Sequence, residues 1–184
     1  HMLFNGTTHY PPGTLVEYFQ SIGMGFGADT NAHTSFDETV YKLLLPSGKP
    51  EVLAEGLKVL ADYARGGLLR ETEVERERGI ILAEKRSRDS AESRVGKERL
   101  RFDFAGTLVA ERDPIGTEEV LAAADSRLLR RYYDHWYRPD NLIVVVVGDM
   151  AVAETEHLLR ERFALLTAAG PAGTCPDIGR VGTE

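Results

Sequence analysis

Two glutamates, Glu77 and Glu84, stand seven positions apart in ETEVERERGIILAEKR, residues 71–86. Together with Val74 and Ile81 they recur at i, i+3, i+7 and i+10, so a 3.6-residue period stacks all four in one stripe of a helix. Ile80 and Leu82 widen the apolar flank, and Thr72 with Glu75 predicts a capping box at the helix start. A carboxylate on a core-facing stripe is costly unless a positive partner compensates it. A bound metal ion is one such partner. The other is ordinary pairing in water with Arg76, Arg78 or Arg88, and this segment alone leaves both readings open.

Other catalytic chemistries find little support. The histidines are His1, His9, His33, His135 and His157, and no two sit at H-x-x-x-H spacing, so no single helix carries a zinc pair. His135 and His157 fall on helical segments and read as packing or surface residues. The only cysteine, Cys175, lies in a Gly/Pro-rich tail, which excludes an internal disulfide and a thiolate metal site. Gly23, Gly25 and Gly27 do not precede a helix start, so turns and bulges explain them better than a phosphate cradle. Ser21, Ser35 and Ser47 lack a G-x-S-x-G setting for acyl-enzyme chemistry.

Composition narrows the class further. With 42% hydrophobic and 28% charged residues over 184 positions, the chain fits one globular domain or one unit of a larger repeat. A net charge of −7 and the absence of a basic stripe argue against nucleic acid as a partner. The stretch from Lys85 to Arg101 mixes acids with its bases and reads as a solvated helix face. No run approaches the roughly 20 apolar residues of a membrane span.

The elements that must position Glu77 and Glu84 can be read in order. Residues 1–6 look like a helix end stopped by Asn5-Gly6. A short helix comes next, with a Thr14/Glu17 capping box, and then a hairpin of strands 26–34 and 39–45 turning at Ser35–Glu38. Val52 to Ala64 is an amphipathic helix ended by Gly66-Gly67. The carboxylate helix is predicted to run to about Ser93, and a further helix to carry Leu100, Phe104 and Leu108 inward. Thr117 and Ser126 are expected to cap two more. Leu142 to Val147 is an unbroken apolar run, predicted to be a central buried strand, and residues 151–166 a final helix. Three strands against six or seven helices implies that partner strands precede residue 1.

Five motifs in order carry a resemblance: HMLFNGT, MGFGADTNAHTSFDETVYKLLLP, ERERGIILAEKR, PIGTEEVL and YRPDNLIVVVVGD. Over residues 1–166 the chain is similar to the N-terminal half of the insulinase/pitrilysin zinc peptidases, the inverzincins with the signature H-x-x-E-H, and above all to their bacterial processing-peptidase-like branch. The resemblance implies an α+β fold: a mostly antiparallel sheet with helices packed on one face, a processing-peptidase-like half-domain with its N-terminal strands missing. Residues 1–168 would form this truncated half-domain and 169–184 a linker toward the next domain.

It also implies roles. His1 matches the second histidine of the signature and Glu84 the downstream glutamate, both metal ligands. Glu77, counted with the catalytic set, matches the upstream acid that supports the site. Asn31, Ala32 and His33 match the edge strand on which the family lays an extended substrate, with Thr34 and Ser35 continuing it. The intact parent is therefore expected to be a Zn2+-dependent endopeptidase acting on peptides or unfolded proteins. Its partner would be a homologous C-terminal half or a partner subunit, in the periplasm or cytoplasm of a bacterium. The first histidine and the base glutamate would fall before residue 1. Catalytic zinc needs about three protein ligands, so the chain as given is expected to be inactive and without zinc. The alternative is a non-catalytic scaffold subunit paired with an active half. The presence of both Glu77 and Glu84 favours the active parent.

Overall fold

The computed structural model describes residues 1–182. In chain order its elements are a 3-10 turn at Met2–Phe4, α1 (Thr14–Ser21), β1 (Thr30–Thr34), β2 (Thr39–Leu43), α2 (Pro50–Arg65) and α3 (Glu71–Ser87). They continue with α4 (Ala91–Asp103), a 3-10 turn at Leu108–Ala110, α5 (Glu118–Ala123), α6 (Ser126–Trp136), a 3-10 turn at Pro139–Asn141 and α7 (Val152–Phe163). The α+β class stands, with β1 and β2 forming a two-stranded antiparallel hairpin. Asn31 pairs with Lys42, Ala32 with Tyr41 and His33 with Val40.

The core gathers where the N-terminal turn, α1, α2 and α6 meet: Leu3, Tyr10, Leu15, Phe19, Met24, Val59, Tyr63, Leu69 and Tyr133. Full burial of each large apolar side chain contributes about 1.5–3 kcal/mol. α2 forms because Leu53, Leu57, Leu60 and Ala64 repeat on one face, with Pro50 starting the helix where no N–H is needed. Tyr133 fixes α6 against the end of α2. Its hydroxyl donates to the Tyr63 carbonyl at 2.8 Å and accepts from the Gly67 N–H at 3.1 Å. Burial pushes this phenol up to about 12.

The first eight residues are stitched to the α2–α3 junction. The Thr8 N–H donates to the Gly66 carbonyl at 2.9 Å and the Leu68 N–H to the Gly6 carbonyl at 3.0 Å. Beneath them the buried Asp62 carboxylate accepts from the Thr7 hydroxyl at 2.6 Å, the His9 backbone N–H at 2.9 Å and His9 Nδ1 at 2.7 Å. Gly6 turns the chain with φ +122°, and a Cβ there would sit 3.0 Å from the Pro12 ring. Gly6→Ala is therefore expected to cost about 2 kcal/mol, seen as a lower urea midpoint. Unchanged stability would mean that this turn tolerates an L side chain.

Several sequence expectations are corrected. The Thr72/Glu75 box does not form: α3 begins two residues earlier, at Glu71, with Arg70 at the cap position and no side-chain cap. Leu69, with φ +50°, swings the chain into the helix, and the Glu71 carboxylate instead accepts from the Ser126 N–H at 2.8 Å, at the start of α6. Nor does Thr14 cap α1; Gly13 takes that position, and the Thr14 hydroxyl donates back to Pro11. Asp125, not Ser126, caps α6 through the Leu128 N–H, whereas Thr117 caps α5 as expected. α3 stops at Ser87 rather than near Ser93, because Ser90 caps a separate α4 by accepting from the Ser93 N–H.

The largest correction concerns residues 142–147. The run is not a buried central strand. Ile143, Val145 and Val147 are 88%, 74% and 89% exposed, and the segment joins no ladder among the described residues. Burial alternates along it, with Val144 and Val146 partly covered, but β1 and β2 form their two-stranded sheet elsewhere.

Candidate metal centre

The N-terminal turn and α3 are brought together by the stitching above, and their side chains meet in one constellation. α3 turns Val74 and Glu77 inward; Glu77 is 7% exposed, and Glu84, two turns on, is partly buried. The Glu77 carboxylate lies behind the His1 ring: Oε2 is 2.8 Å from Nδ1. Its other oxygen, Oε1, accepts from the Asn5 side-chain amide at 2.7 Å. On the far side of the same ring, Nε2 is 3.5 Å from Glu84 Oε2. Arg88, one helical turn beyond, pairs with Glu84 Oε1.

This geometry resolves part of the ambiguity in the carboxylate stripe. Arg88 does pair with Glu84, but Arg76 pairs with Glu73, and Arg78 reaches across to the carbonyls of Leu121 and Ala124. None of the three arginines neutralises Glu77. Its partners are His1 and Asn5. Asn5 is the residue that the sequence reading missed, because it was accounted for as the stop of the first turn.

The donor set can be tested for a metal. Two donors bound to one tetrahedral zinc at about 2.0–2.2 Å stand about 3.4 Å apart. The 3.5 Å between His1 Nε2 and Glu84 Oε2 matches that spacing. With Nδ1 donating to Glu77, the lone pair of the neutral ring is on Nε2, the side facing Glu84. These two atoms fit a shared zinc. Among the described residues no group of three or more His, Cys, Asp or Glu side chains is placed to hold a metal by itself.

The hairpin is fastened to the turn that carries His1. Phe4 packs edge-on against Phe26 at 5.0 Å between centroids and against Tyr63 at 5.5 Å, and tilts over Tyr41 of β2 at 6.2 Å. Burial drives the Tyr41 phenol well above its usual range, and its hydroxyl is 2.7 Å from that of Tyr137. Hydrogen-bonded pairs alternate along the hairpin. The bonds Ser35 N–H to Glu38 and Leu44 N–H to Asp29 place Asn31 and His33 in bonded pairs with β2. The backbone groups of Ala32 therefore point outward, to the free side of β1. There the Ala32 N–H is held at 2.8 Å by its neighbour's side chain, Asn31 Oδ1. The His33 ring is exposed and lies 3.7 Å from Glu38.

Residues 1–109 match the family described as Insulinase (Peptidase family M16), and residues 125–179 match the Peptidase M16 inactive domain. The chain is 36% identical over 168 residues to the probable zinc protease PqqL of Escherichia coli (strain K12), an alignment covering 91% of this chain and 18% of that protein. The crystal structure of the first half of the periplasmic protease PqqL from Escherichia coli superposes with a TM-score of 0.89 at 35% identity, covering 96% of this chain and 38% of that one. The ferredoxin protease FusC, as an E83A mutant in complex with Arabidopsis ferredoxin, superposes with a TM-score of 0.87 at 28% identity, covering 96% of this chain and 19% of that one. The chain thus spans less than a fifth of the length of its relative PqqL.

Proposed function

The chain belongs to the insulinase family of peptidases, family M16, and from that premise we propose that it is the metal-holding part of a zinc endopeptidase acting on extended polypeptides. The observation that carries this reading is the arrangement of His1 Nε2 and Glu84 Oε2 at 3.5 Å, with Glu77 behind the ring. His1 and Glu84 hold the ion. Glu77 acts through His1 and is a positioning residue. Zinc, where bound, supplies Lewis acidity toward a peptide carbonyl and makes water a nucleophile near neutral pH.

Among the described residues His1 and Glu84 are the two donors brought together. The remaining ligand and the base come from the signature's upstream half. A homologous second half or partner subunit encloses the substrate, with residues 169–184 as the connection toward it. The match of residues 125–179 to an inactive-domain family falls on none of the proposed site residues, so it does not favour the scaffold-subunit alternative. The periplasmic location of the Escherichia coli neighbour supports the periplasm over the cytoplasm.

The substrate lies along β1, next to Asn31, Ala32 and His33. An extended peptide would take the outward Ala32 groups, displacing the Asn31 side chain from the Ala32 N–H. A protease bound to ferredoxin among the structural neighbours supports a polypeptide substrate. Ala32→Pro removes the outward N–H while sparing the bonds to β2, and proline is tolerated on an edge strand. It is expected to weaken binding of an extended peptide about tenfold, measured by fluorescence anisotropy, with the hairpin retained. Equal binding would move the substrate off β1. The metal reading is tested by titrating the chain with zinc while following ring and carboxyl resonances by NMR. Shifts confined to His1, Glu77, Glu84 and their neighbours are expected. Shifts centred on His9, His33 or Cys175 instead would overturn it.

A further inference from the structure

The carboxylate that holds His1 is itself held. Glu77 has two oxygens in a buried setting, and both are taken by one five-residue turn: Oε2 by His1 Nδ1 at 2.8 Å and Oε1 by Asn5 Nδ2 at 2.7 Å. A carboxylate offers only acceptors, so the nitrogen of the Asn5 amide must be the side that faces it. The Asn5 backbone closes the Met2–Phe4 turn, its N–H donating to the Met2 carbonyl at 3.1 Å, which leaves the side chain free for Glu77. Between the two arms, Phe4 is wedged among Phe26, Tyr41 and Tyr63, so the turn cannot roll without breaking aromatic contacts.

The geometry points to Asn5 as a positioning residue of the metal site: its amide fixes the rotation of the Glu77 carboxylate, which in turn holds His1 with its proton on Nδ1 and its Nε2 lone pair toward Glu84. Without that amide the Oε1 atom is a buried acceptor lacking a partner, and it regains one only if the carboxylate turns. Turning carries Oε2 out of line with His1 Nδ1. The ring then loses its fixed donor site and populates both tautomers, one of which aims a proton rather than a lone pair at Glu84. Asparagine suits the position because it donates without charge. Aspartate, nearly identical in shape, would set a second acceptor against Glu77. A longer lysine would add a positive charge beside a ligand that the ion already needs.

The inference rests on His1 and Glu84 being the donors, and the test separates the two. His1 ring 15N shifts are recorded on the metal-free chain near pH 8, together with zinc affinity by chelator competition, for wild type, Asn5→Ala, Asn5→Asp and Glu84→Gln. Wild type is expected to show a single tautomer with the proton on Nδ1. Both Asn5 variants should show averaged ring shifts and bind zinc about tenfold more weakly, the lower end of the effect of removing an outer partner of a ligand. Glu84→Gln should lose zinc binding while keeping the wild-type tautomer. If Glu84→Gln binds zinc as wild type does, the metal assignment fails, whatever Asn5 does. If Glu84→Gln loses zinc but both Asn5 variants keep wild-type shifts and affinity, the positioning role is overturned. Loss of zinc together with loss of the near-ultraviolet dichroism of the aromatic wedge, in both Asn5 variants, also overturns it, because Asn5 would then serve the fold alone.

Discussion

Glu84→Gln should lower the zinc affinity of the chain at least about a hundredfold, the upper end of the loss caused by altering partners that merely support a ligand. The substitution keeps size and helix propensity but replaces an anionic donor with a neutral amide. It should leave stability within about 0.5 kcal/mol, since the side chain sits at a partly exposed position and its one conventional partner, Arg88, is solvated. Glu77→Gln offers the contrast. There the side chain is buried and both oxygens are occupied, so an amide must turn an N–H toward either His1 or Asn5. That variant should lose folding stability by about 1–3 kcal/mol as well as metal affinity. Chelator competition paired with urea denaturation separates the two patterns. Undiminished affinity in the Glu84→Gln variant would remove Glu84 from the ligand set.

Asp62→Ala is the substitution with the largest expected effect on stability, about 2–5 kcal/mol. Three donors converge on that carboxylate: the Thr7 hydroxyl, the His9 backbone N–H and the His9 ring. Thr7 is almost wholly buried and has no route to water, so its hydroxyl is left without a partner at about 1–3 kcal/mol. The exposed His9 ring can turn to solvent and recovers part of the loss. Against a total stability of about 5–15 kcal/mol, a change of this size is a large fraction. It should also loosen the zinc site, because Asp62 anchors residues 7–9 to α2 and residues 1–5 lead directly into them. A loss below about 1 kcal/mol in urea would show that the cluster is dispensable.

The features legible in the sequence and those hidden from it divide by the range of each interaction. The inward stripe of α3 is readable because helical period is a local property, and it singles out Glu77 and Glu84. The hairpin turn at Ser35–Glu38 was likewise local, and the Ser35 N–H does bond the Glu38 carbonyl. The capping boxes at Thr14 and Thr72 were local too, yet tertiary demands overrode them: Gly13 and Leu69 at positive φ set where those helices begin. Asn5 escaped because its importance lies 72 positions away, on Glu77. The apolar run 142–147 is strand-like in composition, yet it forms no strand and is not buried. Burial depends on what lies alongside, which pattern alone does not supply.

That same run, LIVVVV, has a practical consequence for anyone purifying the chain. It carries no proline, glycine or charge, Ile143, Val145 and Val147 stand in water, and its amides pair with no neighbouring strand among the described residues. Such hexapeptides stack readily, molecule on molecule, into cross-β filaments. Concentrated stocks should therefore cloud and bind amyloid dyes with a lag that shortens as protein is added. Val145→Lys should keep them clear without touching the zinc-facing end of the molecule.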